Sequence, residues 1–139
     1  KLREALTEIW LMLFELFRPM CEKTGEHNKS NDKIKLMMIY IHEHYGEKIS
    51  IPELAAAAYL SERECYRVFH DCLHMTPVEY IKSYRLQVAC QMLAKGQESV
   101  TVISHDCGLG SSSYFGKVFR EYAHCSPTEY RRKWQNFDR

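Results

Sequence analysis

The stretch MTPVEYIK, residues 75–82, is followed fifty positions later by CSPTEYRR, residues 125–132. Each copy is a helix start. Thr76 or Ser126 supplies a hydroxyl that accepts from a free backbone N–H, and Pro77 or Pro127 occupies the first helical position, where its missing donor costs nothing. Glu79 or Glu129, three residues after the cap, completes a capping box. The echo runs backwards at the same spacing: Phe69 with Phe119, Val68 with Val118, Arg67 with Lys117, Ser61 with Ser111. Before Ser61 the spacing is 49, pairing Leu60 with Leu109, Leu54 with Ile103 and Ser50 with Ser99. Gly110 is therefore an insertion in the second copy, and the chain carries a duplicated unit.

Both copies share an internal grammar. A short helix, about 51–58 or 100–107, meets a tight break at Tyr59-Leu60-Ser61 or Gly108-Leu109-Gly110-Ser111. A second helix follows, 62–73 or 112–123. Two short helices joined by three or four residues make a helix-turn-helix. On the second helices, Cys65, Val68, Phe69 and Cys72, and likewise Phe115, Val118, Phe119 and Tyr122, fall on stripes expected to be core. The opposite stripes carry Arg63, Tyr66, Arg67 and His70, and Ser113, Gly116, Lys117 and Arg120, with Ser112 at the helix start. Glu62, Glu64 and Asp71 fall off the first of these donor-rich stripes. Arginine reads guanine bidentately in the major groove, and Lys117 and Arg120 suit bases or phosphates. One charged stripe alone is most simply a solvated face; two tandem copies argue for a shared task.

Residues 77–95 spell one long helix, with Val78, Ile81, Tyr84, Arg85, Val88, Ala89, Met92 and Leu93 along it and Gly96 at its end. Such a rod is expected to hold the two recognition helices about 34 Å apart, one turn of DNA, so that one chain reads a site of about 20 bp. Asn31-Asp32 is expected to cap a helix of 32–45, with His27-Asn28-Lys29-Ser30 as part of a polar linker over 27–31. Residues 1–26 hold a helix that is apolar almost all round, with Leu6, Ile9, Trp10, Leu13, Phe14 and Phe17 among its side chains. It is expected to need a second surface: a dimer or a preceding sensor domain, the DNA-binding domain alone, or a membrane face that Glu4, Glu8 and Glu15 disfavour. The absence of an initial Met suggests that the sequence is a piece of a longer protein.

Composition narrows the classes. The chain of 139 residues is 45% hydrophobic and 27% charged, enough for a packed core. No apolar run approaches the length of a membrane span. Net charge is +1, and from Ile49 onward eleven Lys and Arg face ten Asp and Glu, so any case for nucleic acid rests on where the charges sit. The six cysteines form no CxxC pair, and several lie in apolar stripes, which predicts buried free thiols in a reducing, cytoplasmic setting. His70, Cys72 and His74 make HxCxH, and His42-Glu43-His44 is also suggestive of metal. On a helix, however, Cys72 points about 160° from the two histidines, so no metal site and no cofactor are expected. No nucleophile–base pair or phosphate loop is placed by any motif, so no enzyme is expected. The rival function is a protein-interaction module whose basic helix faces bind an acidic partner.

The run Gly108 to Phe119, followed by Ser126-Pro127-Thr128-Glu129-Tyr130-Arg131, resembles the signature of the AraC/XylS family of bacterial transcription regulators. Leu54-Ala55, Leu60-Ser61, Arg67-Val68-Phe69, Thr76-Pro77, Tyr80, Arg85-Leu86, Ala89 and Leu93 fit it too, so the likeness spans residues 32–139. The resemblance implies an all-α domain with two tandem helix-turn-helix subdomains, about 32–76 and 97–139, joined by the linking helix 77–95, with the apolar N-terminal helix appended. It implies double-stranded promoter DNA and RNA polymerase as partners, a homodimer in the full protein, and a ligand-sensing domain before the N-terminal helix. Positions matching the family's base contacts are Arg63, Tyr66 and Arg67, then Ser112, Ser113, Gly116 and Lys117. Those near the DNA backbone are Ser61, Thr76, Ser111 and Ser126. Departures are His74 and His124, where the family usually has Gly, and Tyr59, where the first turn often has Gly. Gly116 inside the second recognition helix costs about 1 kcal/mol relative to Ala and cannot itself read a base, so the second unit is expected to read sequence less sharply.

Overall fold

The computed structural model describes residues 25–137, and among them every regular element is a helix. In chain order these are α1 (Gly25–His44), α2 (Ile51–Ala57), α3 (Glu62–Leu73), α4 (Pro77–Lys95), α5 (Val100–Asp106), α6 (Ser112–Ala123) and α7 (Pro127–Phe137). The expected all-α, tandem helix-turn-helix class is what the chain adopts. The apolar stretch with Leu6, Ile9, Trp10, Leu13, Phe14 and Phe17 lies outside the described residues.

Two compact units emerge. The first takes α1, α2 and α3 with the chain through Ile81; the second takes Tyr45–Lys48 together with the chain from Lys82 onward. These boundaries differ from the sequence reading, because α4 is divided between the units and the turn after α1 packs with the second.

In the first unit, α1, α2 and α3 contact one another pairwise. Ile34, Met37, Met38 and Ile41 from α1, Leu54 and Ala55 from α2, and Cys65, Val68 and Phe69 from α3 are fully or almost fully buried. Tyr80 joins them, its ring centroid 5.7 Å from that of Phe69, and its hydroxyl lies 2.8 Å from His42 Nε2. Residues 27–31, expected as a linker, are instead helical and belong to α1. Asn31 is buried, and its side-chain carbonyl accepts from the Cys72 thiol at 3.8 Å, so this turn is anchored on α3 and not released as a spacer.

In the second unit, α6 contacts α5 and α7. Phe115 and Phe119 stack edge-on at 5.5 Å, and Phe119 meets Tyr130 of α7 at 5.4 Å. Ile103, Cys107, Leu109 and Val118 complete that core with Val88, Ala89 and Leu93 from α4. Tyr122, expected in the core stripe, is 41% exposed; its hydroxyl donates to Gln87 Oε1 at 3.2 Å, because the last turn of α6 runs past the edge of the core. Val78, in the first turn of the linking helix, is 57% exposed.

Both turns are built on one hydrogen bond. Leu60 N–H donates to the Ala55 carbonyl at 2.9 Å, and Leu109 N–H donates to the Ser104 carbonyl at the same distance. The residue before each leucine is left-handed: Tyr59 at φ 59° and Gly108 at φ 73°. The inserted Gly110 has its carbonyl satisfied by the buried Ser104 hydroxyl at 2.7 Å, so the insertion and the serine that replaces Ala55 compensate each other. His74 and His124 close α3 and α6 in the left-handed conformation, at φ 56° and 63°. The glycine-type backbone is kept there without glycine.

Arg85 of α4 ties the turn after α1 into the second unit. Its Nε donates to the Tyr45 carbonyl at 2.8 Å and its Nη2 to the Glu47 carbonyl at 2.7 Å. Partial burial lowers the guanidinium pKa from its ordinary value, yet two carbonyl acceptors remain. Replacing Arg85 by Ala removes two hydrogen bonds to a charged donor and leaves those carbonyls to find water. Arg85→Ala is expected to lower the unfolding free energy by about 2–3 kcal/mol, measured by urea denaturation.

Candidate nucleic-acid interface

Each unit offers one candidate surface, α3 in the first and α6 in the second. Each is twelve residues long, and each starts at an extended serine N-cap. A helix of that length spans about 18 Å, longer than the width of a major groove, about 12 Å. Their buried sides are Cys65, Val68, Phe69 and Cys72 in α3, and Phe115, Val118 and Phe119 in α6. Burial on that side leaves the opposite side to water. Arg63, Tyr66, Arg67 and His70 are exposed on α3, and Ser112, Ser113, Lys117 and Arg120 on α6, with Gly116 half-buried.

The four cap positions hold their own helices. Ser61 Oγ accepts from Glu64 N and Ser111 Oγ from Tyr114 N, each at 3.2 Å; Thr76 Oγ1 accepts from Glu79 N and Ser126 Oγ from Glu129 N, each at 3.1 Å. α3 and α6 nevertheless differ at their starts. In α3, Glu64 returns to accept from the Ser61 amide at 3.2 Å and from its hydroxyl at 3.0 Å. The amide bond foremost, then the hydroxyl bond, holds the Glu64 carboxyl below its ordinary range. Glu62 adds a second acid to that turn, whereas the first turn of α6 has none. The start of α6 is thus the better seat for an anion, and that of α3 is occupied by its own carboxylate.

The stripes are less free of acid than the sequence pattern suggests. Arg67 Nη1 lies 3.6 Å from Asp71 Oδ2, and His70 Nδ1 lies 3.4 Å from Asp71 Oδ1. Asp71 falls off the stripe by angle, but one turn of helix brings it beside Arg67. Arg120 Nη2 stands 3.9 Å from Glu129 Oε1 of α7. These pairs are exposed, so they hold the arginines loosely.

Among the described residues, no three His, Cys, Asp or Glu side chains group to hold a metal ion. Cys72 is buried against Asn31 while His70 is exposed, so the HxCxH spacing does not converge. Burial pushes the Cys65 and Cys90 thiols up to about 11 and that of Cys107 to about 12. They are protonated at neutral pH and poor nucleophiles. A cleft of about 430 Å³ beside α4, α6 and α7 holds Cys90, Tyr122, Cys125, Tyr130 and Trp134 among its walls, with no set of convergent charged groups.

Comparison with known proteins gives the same architecture. A family model described as a helix-turn-helix domain matches residues 54–133. The HTH-type transcriptional regulator YdeC of Bacillus subtilis (strain 168) is 34% identical over 131 residues, covering 91% of this chain and 43% of that protein. A transcriptional regulator with an AraC-type DNA-binding domain from Chromobacterium violaceum superposes with a TM-score of 0.72 at 26% identity, over 76% of this chain and 94% of that one. The DNA-binding domain of AdpA, solved in complex with a target DNA, superposes at 0.68 with 27% identity, over 72% and 90%. The chain spans under half the length of the curated relatives it matches. No helix of the described residues is long and apolar enough to cross a membrane.

Two outcomes follow from this geometry. A Cβ built on Gly116 meets nothing within 4 Å, so Gly116→Ala is expected to raise the unfolding free energy by about 1 kcal/mol in urea titrations. The buried thiols give a pH dependence. An unfolded thiol ionises near its ordinary value of 9.0, so above that pH the unfolded chain sheds protons that the folded chain keeps. This share of stability is complete below pH 9 and falls as pH rises towards 11–12. The urea midpoint should decline through that range, and decline less in Cys107→Ala.

Proposed function

The chain belongs to the AraC-type family of helix-turn-helix transcription regulators, which bind DNA and are not enzymes, and from that premise we propose that it reads two successive major grooves of promoter DNA with α3 and α6. Arg63, Tyr66, Arg67 and His70 read the first groove. Ser112, Ser113, Gly116, Lys117 and Arg120 serve the second, where the serines and the missing side chain of Gly116 allow close backbone approach and less discrimination. Thr76, Ser111 and Ser126 lie against the phosphates, and Ser61 contributes more weakly because Glu64 engages it. The observation that carries this reading is the repeated one: two helices of equal length, started by the same cap and reached through the same turn, each burying one stripe and exposing donors on the other.

In the full protein this DNA-binding part works in the cytoplasm under a ligand-sensing domain, as a homodimer closed through the apolar N-terminal stretch around Leu6, Ile9, Trp10, Leu13, Phe14 and Phe17, and contacts RNA polymerase. Support comes from the share of the relatives' length that this chain leaves uncovered and from the family itself.

Fluorescence anisotropy against a duplex selected from a random pool and against random duplex tests the core of the proposal. The selected duplex should bind about a hundredfold tighter or better, and Arg63→Ala/Arg67→Ala should erase that preference. Equal affinity for both duplexes at every salt concentration would sink it. Affinity untouched by the double substitution would favour an acidic protein partner for these faces.

A further inference from the structure

The turns into α3 and α6 share one backbone but not one side chain. At Gly108 the left-handed residue must be glycine, because a Cβ there would stand 2.7 Å from the Tyr45 carbonyl oxygen. Its counterpart Tyr59 has the same conformation, at φ 59°, and the ring is 86% exposed. A bulky residue is strained in that region and an exposed ring recovers almost nothing through burial, so the tyrosine is poorly explained by folding alone. Lys33 Nζ, from α1, stands over the ring at 5.4 Å from its centroid, within cation–π range. Tyr59 stands two residues before the Ser61 cap, so the ammonium over its ring lies at the turn that opens α3. That turn carries two acids and an occupied cap, whereas α6 starts with three serines and no acid. The first unit therefore lacks the anion-accepting helix start of the second and has a cation on α1 next to that place.

We propose that Lys33, held over the ring of Tyr59, grips a DNA backbone phosphate flanking the groove that α3 enters. Lys33 is the phosphate ligand. Tyr59 is a positioning residue, fixing a flexible side chain that would otherwise lose rotamer entropy on binding. The contact carries no base information; it sets the register of α3 on the duplex. The inference rests on the groove reading of α3.

The test titrates the 139-residue chain against selected and random duplex over a salt series. Lys33→Ala should weaken both duplexes alike and reduce the slope of log affinity against log salt by about 1. Tyr59→Gly, relieved of strain, should melt at a higher temperature yet bind both duplexes about three- to tenfold weaker. Tyr59→Phe keeps the ring and should keep the wild-type slope. A Tyr59→Gly chain that is more stable and binds as tightly as wild type, or an unchanged slope in Lys33→Ala, would assign the pair to the turn alone and overturn the proposal. A loss confined to the selected duplex would also overturn it, since a phosphate grip is blind to sequence. Failure of the groove reading looks different: wild type would show no preference for the selected duplex, while a Lys33-dependent slope on random DNA would still support the phosphate contact.

Discussion

One hydrogen bond, made twice, organises both units: the leucine amide of the turn donating to a carbonyl five residues back, at Leu60 to Ala55 and Leu109 to Ser104. The bond can form only if the residue before the leucine turns left-handed. That reversal ends the short helix and lets the next serine sit extended as an N-cap. The leucine is thereby delivered to the interior side of the turn, and in the second unit Leu109 is almost fully buried. Cap, recognition helix and buried stripe all follow from this corner.

Duplication did not leave two identical devices. The second copy has absorbed Gly110 and kept the corner by exchanging Ala for Ser104, whose hydroxyl takes the extra carbonyl. The first has kept the shorter turn and put tyrosine at its left-handed position. Their helix starts have diverged in charge, with Glu62 and Glu64 on one and Ser112 and Ser113 on the other. Two helices built alike thus present different surfaces, one opening on acids ahead of its long donors and one opening on serines ahead of Lys117 and Arg120.

Much of this was legible in the residues. Serine caps, proline at the first helical position and the apolar spacing of α3 and α6 are local devices, and local rules placed the bounds of α3, α4 and α6 at the observed residues. What escaped was decided by tertiary contact. Residues 27–31 look polar enough for a linker, but Asn31 is held against Cys72, which lies 41 positions away and which no periodicity connects to it. Tyr122 fits the core spacing, yet the core ends one turn earlier. Asp71 falls off the stripe by helical angle, but Arg67 is long enough to reach it one turn away. For the candidate interface, the donors on α3 and α6 could be listed from the pattern; the pairing of Lys33 with Tyr59 could not, because it joins α1 to the turn before α3 across 26 positions.

The path of Tyr45–Lys48 has a consequence for how such a chain can be cut, synthesised and evolved. In sequence the two copies follow one another, but in space the second unit includes four residues that are translated before α2 and α3. Arg85 and Gly108 both close on the Tyr45 carbonyl, so these residues complete the unit's hydrogen bonding and steric fit. A single break in the chain therefore cannot release the second unit whole: any fragment beginning after α3 leaves Arg85 without the acceptors it uses. On the ribosome the early turn emerges long before its partners and must wait for them. Recombination that exchanged the whole second unit between relatives would have to carry this turn along, which couples the inheritance of the two halves although their sequences are separable.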